Sequence, residues 1–266
     1  MTTQEDLEIL IENATDEIQD IVEEIDDGDD HEEQLGQLFS DLCKNYRRRA
    51  TAWFFLEADT AVFCGDLFKS GQAFLYFLKQ VGENSAIDKY PLTTGRSTPF
   101  FDAIASQDMA LACVIAQNSS QTFSEGDEYE DDFYYYHFLM QLYFFEAEKK
   151  QLAEILDRFS SVVTQESAYK ADICKALLEK EPEGFNENLN KLLLAHKDTY
   201  ERYREQEKEQ DEIIDTEGNI SIEGLALIRL AEIRDIITAK EYRLIPGVAR
   251  HIVALISMPE DAWKCP

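Results

Sequence analysis

Glycine and proline are scarce in this sequence, with 11 glycines and 6 prolines among 266 residues. These two residues punctuate loops and turns most strongly, so their scarcity leaves little room for many short elements. No run of residues alternates strictly between polar and apolar, which is the pattern of a half-buried strand. Apolar residues instead recur three or four positions apart throughout the chain. The sequence therefore predicts helices and no sheet.

Basic residues are also few, with 25 Lys and Arg against 54 Asp and Glu, for a net charge of −29. This charge disfavours nucleic acid and anionic membrane surfaces as partners, because both would be repelled. It favours a basic protein partner, whose approach it would accelerate. The alternative is that the charge only keeps the surface soluble.

Paired cysteines are missing. The five cysteines are odd in number, scattered and without a CxxC motif, which is typical of free thiols in a reducing compartment. The first ten residues carry acids and lack the basic stretch of a signal peptide. No run approaches 18 uncharged apolar residues, so we expect no membrane span and a cytoplasmic location. The cysteines are Cys43, Cys64, Cys113, Cys174 and Cys265.

Helical spacing is clearest at the start of the chain, where an apolar stripe predicts one long helix that ends near Gly28. A second helix is expected from about His31 to Arg49, and an apolar core helix after it, followed by a break between Gly65 and Gly71. Further helices are expected at 98–116, 133–150, 151–163, 167–180, from Pro182 onward, 222–236 and 246–256. The stripe consists of Leu7, Ile11, Ala14, Ile18, Ile21 and Ile25.

These elements predict an all-α fold of about ten antiparallel helices, stacked as helical hairpins. Residues 61–71 and 103–116 alternate small and large side chains, loosely like a tetratricopeptide unit, but no 34-residue period emerges. We expect one all-helical domain over residues 1–266, with the acidic helical region 1–48 packed on it. The charged residues 197–211 are expected to project into water.

Catalytic patterns are missing from the sequence. It contains no GxSxG, HExxH, Walker or GxGxxG motif, and no two of its four histidines have metal-ligand spacing on one helix face. The acids around Gly28 do not match a calcium loop, which needs glycine at its sixth and glutamate at its twelfth position. We therefore expect no catalytic residue, no metal, no cofactor and no enzymatic activity.

Acidic charge is concentrated at the start of the chain. Residues 1–43 contain 16 acids and no Lys or Arg. Like charges three or four residues apart on a helix repel each other modestly, a cost that a basic partner would offset. The alternative is a solvated outer helix face. The candidate partner-binding residues in this region are Glu23, Asp26, Asp27, Asp29 and Asp30.

A second acidic run, residues 125–136, contains six acids and four tyrosines. One helix side can bury only some of these rings, and exposed tyrosines beside acids suit a partner rich in Lys and Arg. The alternative is an aromatic core helix preceded by a polar loop. The candidate partner-binding residues here are Glu125, Asp127, Glu128, Tyr129, Glu130, Asp131 and Asp132.

Three later segments share a pattern of helix-packing residues: Cys174 to Lys197 with its leucine spacing, Ile222 to Ala231, and Ile245-Pro246. In this order they resemble the immunity protein 49 family of bacterial polymorphic toxin systems. Residues 50–66, which end in Gly-Asp, are loosely similar to the first half of that family. The chain departs from the family in its acidic N-terminus and at Arg234-Asp235, where the family leads us to expect a glycine after the helix.

The resemblance implies a cytoplasmic antidote that binds and neutralises a cognate secreted toxin. The family supplies no motif for binding residues, so none is transferred to this chain. The charge adds the expectation that the toxin is basic and that its active or substrate-binding surface is occluded. The alternative function is a helical adaptor that scaffolds other host proteins and binds several partners in a concave groove.

Overall fold

The computed structural model describes residues 3–27, 34–81, 90–165, 167–206, 211–251 and 258–265. Within these ranges the protein is 77% helical, with eleven helices and no strands, which confirms the predicted all-α class. The helices are α1 (Gln4–Asp27), α2 (Leu35–Glu57), α3 (Thr60–Val81), α4 (Thr98–Ala105), α5 (Met109–Asn118), α6 (Glu130–Phe144), α7 (Lys149–Val162), α8 (Ala168–Glu179), α9 (Pro182–Gln206), α10 (Asp211–Asp215) and α11 (Ile222–Ile233).

Helix α1 lies on α2 through one apolar stripe, as the sequence predicts. The buried face of α1 is rotated slightly from the predicted stripe, since Leu10 and Val22 are more buried than Ile11 and Ile21. Both sets recur every three to four residues, so one face of a 3.6-residue helix contains them. The buried residues are Leu7, Leu10, Ala14, Ile18 and Val22.

The predicted break between Gly65 and Gly71 is wrong, because both glycines lie inside α3. A side chain at Gly71 would place its Cβ 2.9 Å from Leu111 Cδ2, so the glycine permits close packing of α5 on α3. The actual break comes at Ala58, which has a left-handed φ of 54° and whose N–H donates to Phe54 O. Helix α2 therefore continues eight residues beyond its predicted end at Arg49.

The single helix predicted for residues 98–116 is also divided, into α4 and α5. Gln107 between them has a φ of 73°, which stops α4. The Asp108 side chain then accepts the Leu111 N–H at 2.7 Å and caps α5. Pro99 lies in the first turn of α4 as expected, although the cap position is Ser97 instead of Thr98.

The C-terminal half follows the sequence more closely. Helix α9 starts at Pro182, and Ser221 caps α11 by accepting the Gly224 N–H at 3.0 Å. The tail of α9 does not project fully into water, since Tyr200 and Tyr203 are half-buried. The last predicted helix is represented by a short 3-10 turn at 247–250, and residues 252–257 lie outside the described residues.

Buried apolar side chains from Ile18 in α1 to Trp263 near the end form one continuous cluster. The C-terminal segment is tied to α2, because the Tyr46 hydroxyl donates to Trp263 O at 2.5 Å. Such continuity is what a single domain requires, but the single domain and the tetratricopeptide-like stacking stay predictions. None of the described helices is both long enough and apolar enough to cross a membrane.

At the centre of the fold, Arg47 of α2 forms a buried ion pair with Asp102 of α4 at 2.8 Å. Ser70 of α3 donates its hydroxyl to the same carboxylate at 2.7 Å, and Glu217 lies 3.6 Å from the guanidinium. Burial lowers the pKa of Arg47, but the Asp102 and Glu217 carboxylates more than reverse this, so its pKa lies above the ordinary value. Burial also raises the pKa of the Asp102 carboxyl, while Arg47 and the Ser70 hydroxyl oppose that shift, so the ionised form of Asp102 depends on these two partners.

Replacing Asp102 with Asn should destabilise the protein by about 3–5 kcal/mol, because it leaves the Arg47 charge buried without its counter-ion. The matched control is Asp41→Asn, which breaks the half-exposed pair with Lys44 at 2.9 Å and should cost less than about 1 kcal/mol. Urea unfolding of both variants measures the two costs. Equal effects would contradict a central role for the buried pair.

Burial raises the pKa of the Cys43 thiol to about 12, and that of Cys174 well above its ordinary value. Because the thiolate is the reactive form, both should resist iodoacetamide at pH 8 while the exposed Cys265 is alkylated. Mass spectrometry of timed digests measures the order of modification. Early modification of Cys43 in the folded protein would show that its surroundings are open.

Candidate functional site: the acidic surfaces

Helix α1 carries eleven acids, and every one of them is solvent-exposed. Of these eleven acids, only Asp26 forms an ion pair with a described basic residue, namely Lys264 near the C-terminus. The apolar stripe of the same helix faces α2, so the acids occupy the outer surface. The acids are Glu5, Asp6, Glu8, Glu12, Asp16, Glu17, Asp20, Glu23, Glu24, Asp26 and Asp27.

Four of these acids, Asp16, Asp20, Glu23 and Asp27, are spaced three or four residues apart and share one face of α1. They repel each other modestly, and a dipole with its negative end at the C-terminus of α1 adds to the repulsion. The helix is held despite this cost by its apolar stripe and by Thr15, whose hydroxyl lies 3.3 Å from Arg49 Nη1 of α2. The remaining two candidates of this region, Asp29 and Asp30, lie outside the described residues.

The second acidic run is largely engaged within the protein. Glu128 is half-buried and accepts hydrogen bonds from the backbone N–H groups of Gly95 at 2.6 Å and Ser124 at 3.0 Å. Burial raises its pKa, although these hydrogen bonds oppose the shift. Glu128 therefore connects the loop before α6 to residues 94–96, and its role there is structural.

Other members of the run have partners far along the chain. Glu130 pairs with Arg158 of α7 at 2.9 Å, and Asp132 lies 3.3 Å from Lys170 of α8. Asp127 accepts the Ser124 hydroxyl at 2.6 Å. These contacts join α6 to its neighbours and reduce the charge that the run offers to a partner.

The tyrosines of this run differ in burial, as expected when only one side of a helix faces the core. Tyr135 and Tyr136 are buried, Tyr134 is half-buried, and Tyr129 before the helix is 73% exposed. The Tyr135 hydroxyl donates to Glu223 of α11 at 2.8 Å. Of the candidates in this run, Glu125, Asp127 and Tyr129 are exposed, and Asp131 is half-buried.

The first bases of the chain form a feature that we did not single out from the sequence. Lys44, Arg47, Arg48 and Arg49 follow a stretch of 43 residues without a base, and this abrupt change in charge was the available signal. Arg47 and Arg49 make buried ion pairs, the latter with Asp66 at 2.8 Å. Within the described ranges, no group of three or more His, Cys, Asp or Glu side chains is placed to hold a metal ion.

Comparison with models of known protein families gives a match. The model of the family described as immunity protein 49 matches residues 54–249, which is most of the chain. The chain belongs to the immunity protein 49 family. No curated protein and no solved structure matches this immunity protein. The family match begins near the end of α2, so all of α1 with its exposed acids lies outside the matched residues.

The departure from the family at Arg234-Asp235 has a structural counterpart. Asp235 has a φ of 61°, the left-handed conformation that glycine most easily adopts after a helix. Its N–H donates to Glu232 O, and the next residue, Ile236, donates to Ala231 O, both at 3.0 Å. The end of α11 therefore keeps the turn for which a glycine was expected, with an aspartate in its place.

Replacing Glu128 with Ala should cost about 1–3 kcal/mol of stability, because two backbone donors lose a charged acceptor. The matched control is Glu125→Ala, which removes an exposed acid three residues earlier and should leave stability nearly unchanged. Thermal unfolding of the two variants, followed by circular dichroism, makes the comparison. If Glu128→Ala leaves stability unchanged, Glu128 has no structural role and remains a candidate for partner binding.

Proposed function

We propose that this immunity protein binds and neutralises a cognate secreted bacterial toxin in the cytoplasm. Membership of the immunity protein 49 family carries the proposal. It acts by occupying the toxin's active or substrate-binding surface, and it needs no catalytic step, metal or cofactor. The partner is a protein and neither nucleic acid nor membrane, because a net charge of −29 would repel both.

The charge pattern further supports a basic toxin that docks on the outer face of α1. Ten of the eleven acids on this helix have no ion pair within the described part of the chain, so their charge is available to a partner. Acids concentrated on one surface raise the rate of association with a basic protein, and salt screens this effect beyond about 8 Å at 0.15 M.

Within the acidic surfaces, α1 is a better docking face than the run from Glu125 to Asp132. Glu128, Glu130 and Asp132 hold α6 against neighbouring segments, so binding through them would compete with existing contacts. In this proposal Glu23 and Asp27 are the central contacts, while Asp26 first has to leave Lys264. Glu125, Tyr129 and Asp131 form a secondary contact site.

The decisive variant reverses Asp20, Glu23 and Asp27 to Lys together, leaving the Asp26 pair intact. We expect association with the toxin encoded by the adjacent gene to slow by about tenfold or more at low salt, with the difference shrinking as salt is added. Stopped-flow or biosensor kinetics at two salt concentrations measure the rate. Growth rescue on co-expression with the toxin provides the functional readout.

The control reverses three exposed acids just before and within α7 to Lys, namely Glu146, Glu148 and Asp157. Both triple variants change the net charge by the same amount. Equal slowing by the two would show that only total charge matters, and unchanged kinetics in both would reduce the α1 acids to a solubility feature. Binding of several host proteins without growth rescue would favour the adaptor function instead.

A further inference from the structure

A cleft of about 250 Å³ opens between α2, residues 91–99 and the end of α9. The protein carries a charge of −29, yet among the described side chains that line this cleft four are cationic and only Glu217 is anionic. Walls of low dielectric concentrate the field of such charges inside a cleft. The cationic residues are Lys44, Arg47, Arg48 and Arg96.

Two of these cations are held in position without being neutralised. Arg48 donates from Nη1 to Asn45 Oδ1 at 3.3 Å, and Arg96 lies over the Tyr90 ring, 3.8 Å from its centroid, and donates to the Tyr90 hydroxyl. Among the described residues, no carboxylate lies within 4.0 Å of either guanidinium, whereas Lys44 and Arg47 have such partners. The charge of Arg48 and Arg96 therefore remains available.

Unused hydrogen-bonding groups gather beside the same cleft. Among the described residues, five buried side-chain nitrogen or oxygen atoms have no hydrogen-bond partner. Three of them are Arg48 Nε, Arg96 Nε and the hydroxyl oxygen of Ser97, which follows Arg96 in the chain. Burying polar groups without partners is costly. Arg48 and Arg96, which carry two of these atoms, both line the cleft, and this points to a ligand that compensates the cost.

The other walls are apolar and aromatic. Phe77 and Pro91 line one side, and Tyr200 and Tyr203 from the tail of α9 line another. Asp41 pairs with Lys44, and Glu217 lies 3.6 Å from Arg47. Glu17 and Asp20 of α1 line a neighbouring groove together with Arg48 but form no ion pair with it among the described residues. An anionic group with a flat organic body would therefore find cations and ring surfaces together.

We propose that this cleft binds a small phosphate monoester, with the phosphate between Arg48 and Arg96 and the organic part against the tyrosine rings. Phosphate is favoured over carboxylate because its three terminal oxygens can accept from two guanidinium forks at once. A phosphate monoester also carries a charge of about −1.5 to −2 at pH 7, more than one carboxylate supplies. The cations of this site lie on α2 and residues 91–99 and not on α1, and the site does not depend on the toxin.

The test uses phenyl phosphate, inorganic phosphate and benzoate as probes at constant ionic strength. Calorimetry measures affinity, and the Nε–H resonances of Arg48 and Arg96 in ¹⁵N NMR spectra report the place of binding. We expect phenyl phosphate to bind most tightly, to shift both resonances, and to lose about tenfold or more in affinity in Arg48→Gln and in Arg96→Gln. Arg48→Lys should recover only part of the loss, because it keeps the charge without the fork.

Arg202→Gln is the control, since Arg202 is an exposed residue on the tail of α9 that donates only to the Thr199 hydroxyl. It should bind phenyl phosphate as the unmodified protein does, and thermal unfolding checks that all variants are folded. Unshifted Arg48 and Arg96 resonances would overturn the proposal, as would undiminished binding by the two Gln variants. Equal affinity for benzoate would overturn the choice of phosphate.

Discussion

The ion pair between Arg47 and Asp102 joins segments that are far apart in the sequence. Through Ser70 and Glu217 it links α2, α3, α4 and the turn before α11 at one buried point. Such a pair is not a strong source of net stability, because desolvation opposes the attraction of the charges. Its value lies in geometry, since only one relative placement of these segments satisfies both charges. Arg47 of this pair also lines the cationic cleft.

Acidic and basic side chains occupy different parts of the protein. The acids of α1 are exposed and mostly unpaired, whereas the first bases of the chain point into ion pairs and into the cleft. The acids of α1 and the cationic cleft therefore meet along α2, where Lys44 and Arg48 line both the cleft and a groove with Glu17 and Asp20. In such an arrangement a basic protein and a small anion have different places to bind.

Regular features were predictable from the sequence because they depend on neighbours along the chain. The stripe of α1, the start of α9 at Pro182 and the Ser221 cap are of this kind. The breaks at Ala58 and Gln107 were missed because non-glycine residues adopt positive φ there. Gly71 wrongly indicated a helix break, because a glycine is needed there for close packing against Leu111, forty residues away. The acidic run was overestimated as a free surface for the same reason, since Arg158 and Lys170 are remote in sequence.

The attachment of α1 has a consequence for how this protein can change over time. Its inner stripe and the Thr15–Arg49 hydrogen bond hold it on α2, and among the described residues only Asp26 of its acids forms an ion pair. Substitutions on the outer face can therefore accumulate without a penalty in folding, while the residues shared with the family remain under constraint from packing. Partner specificity and stability are thus free to evolve at different rates within one chain.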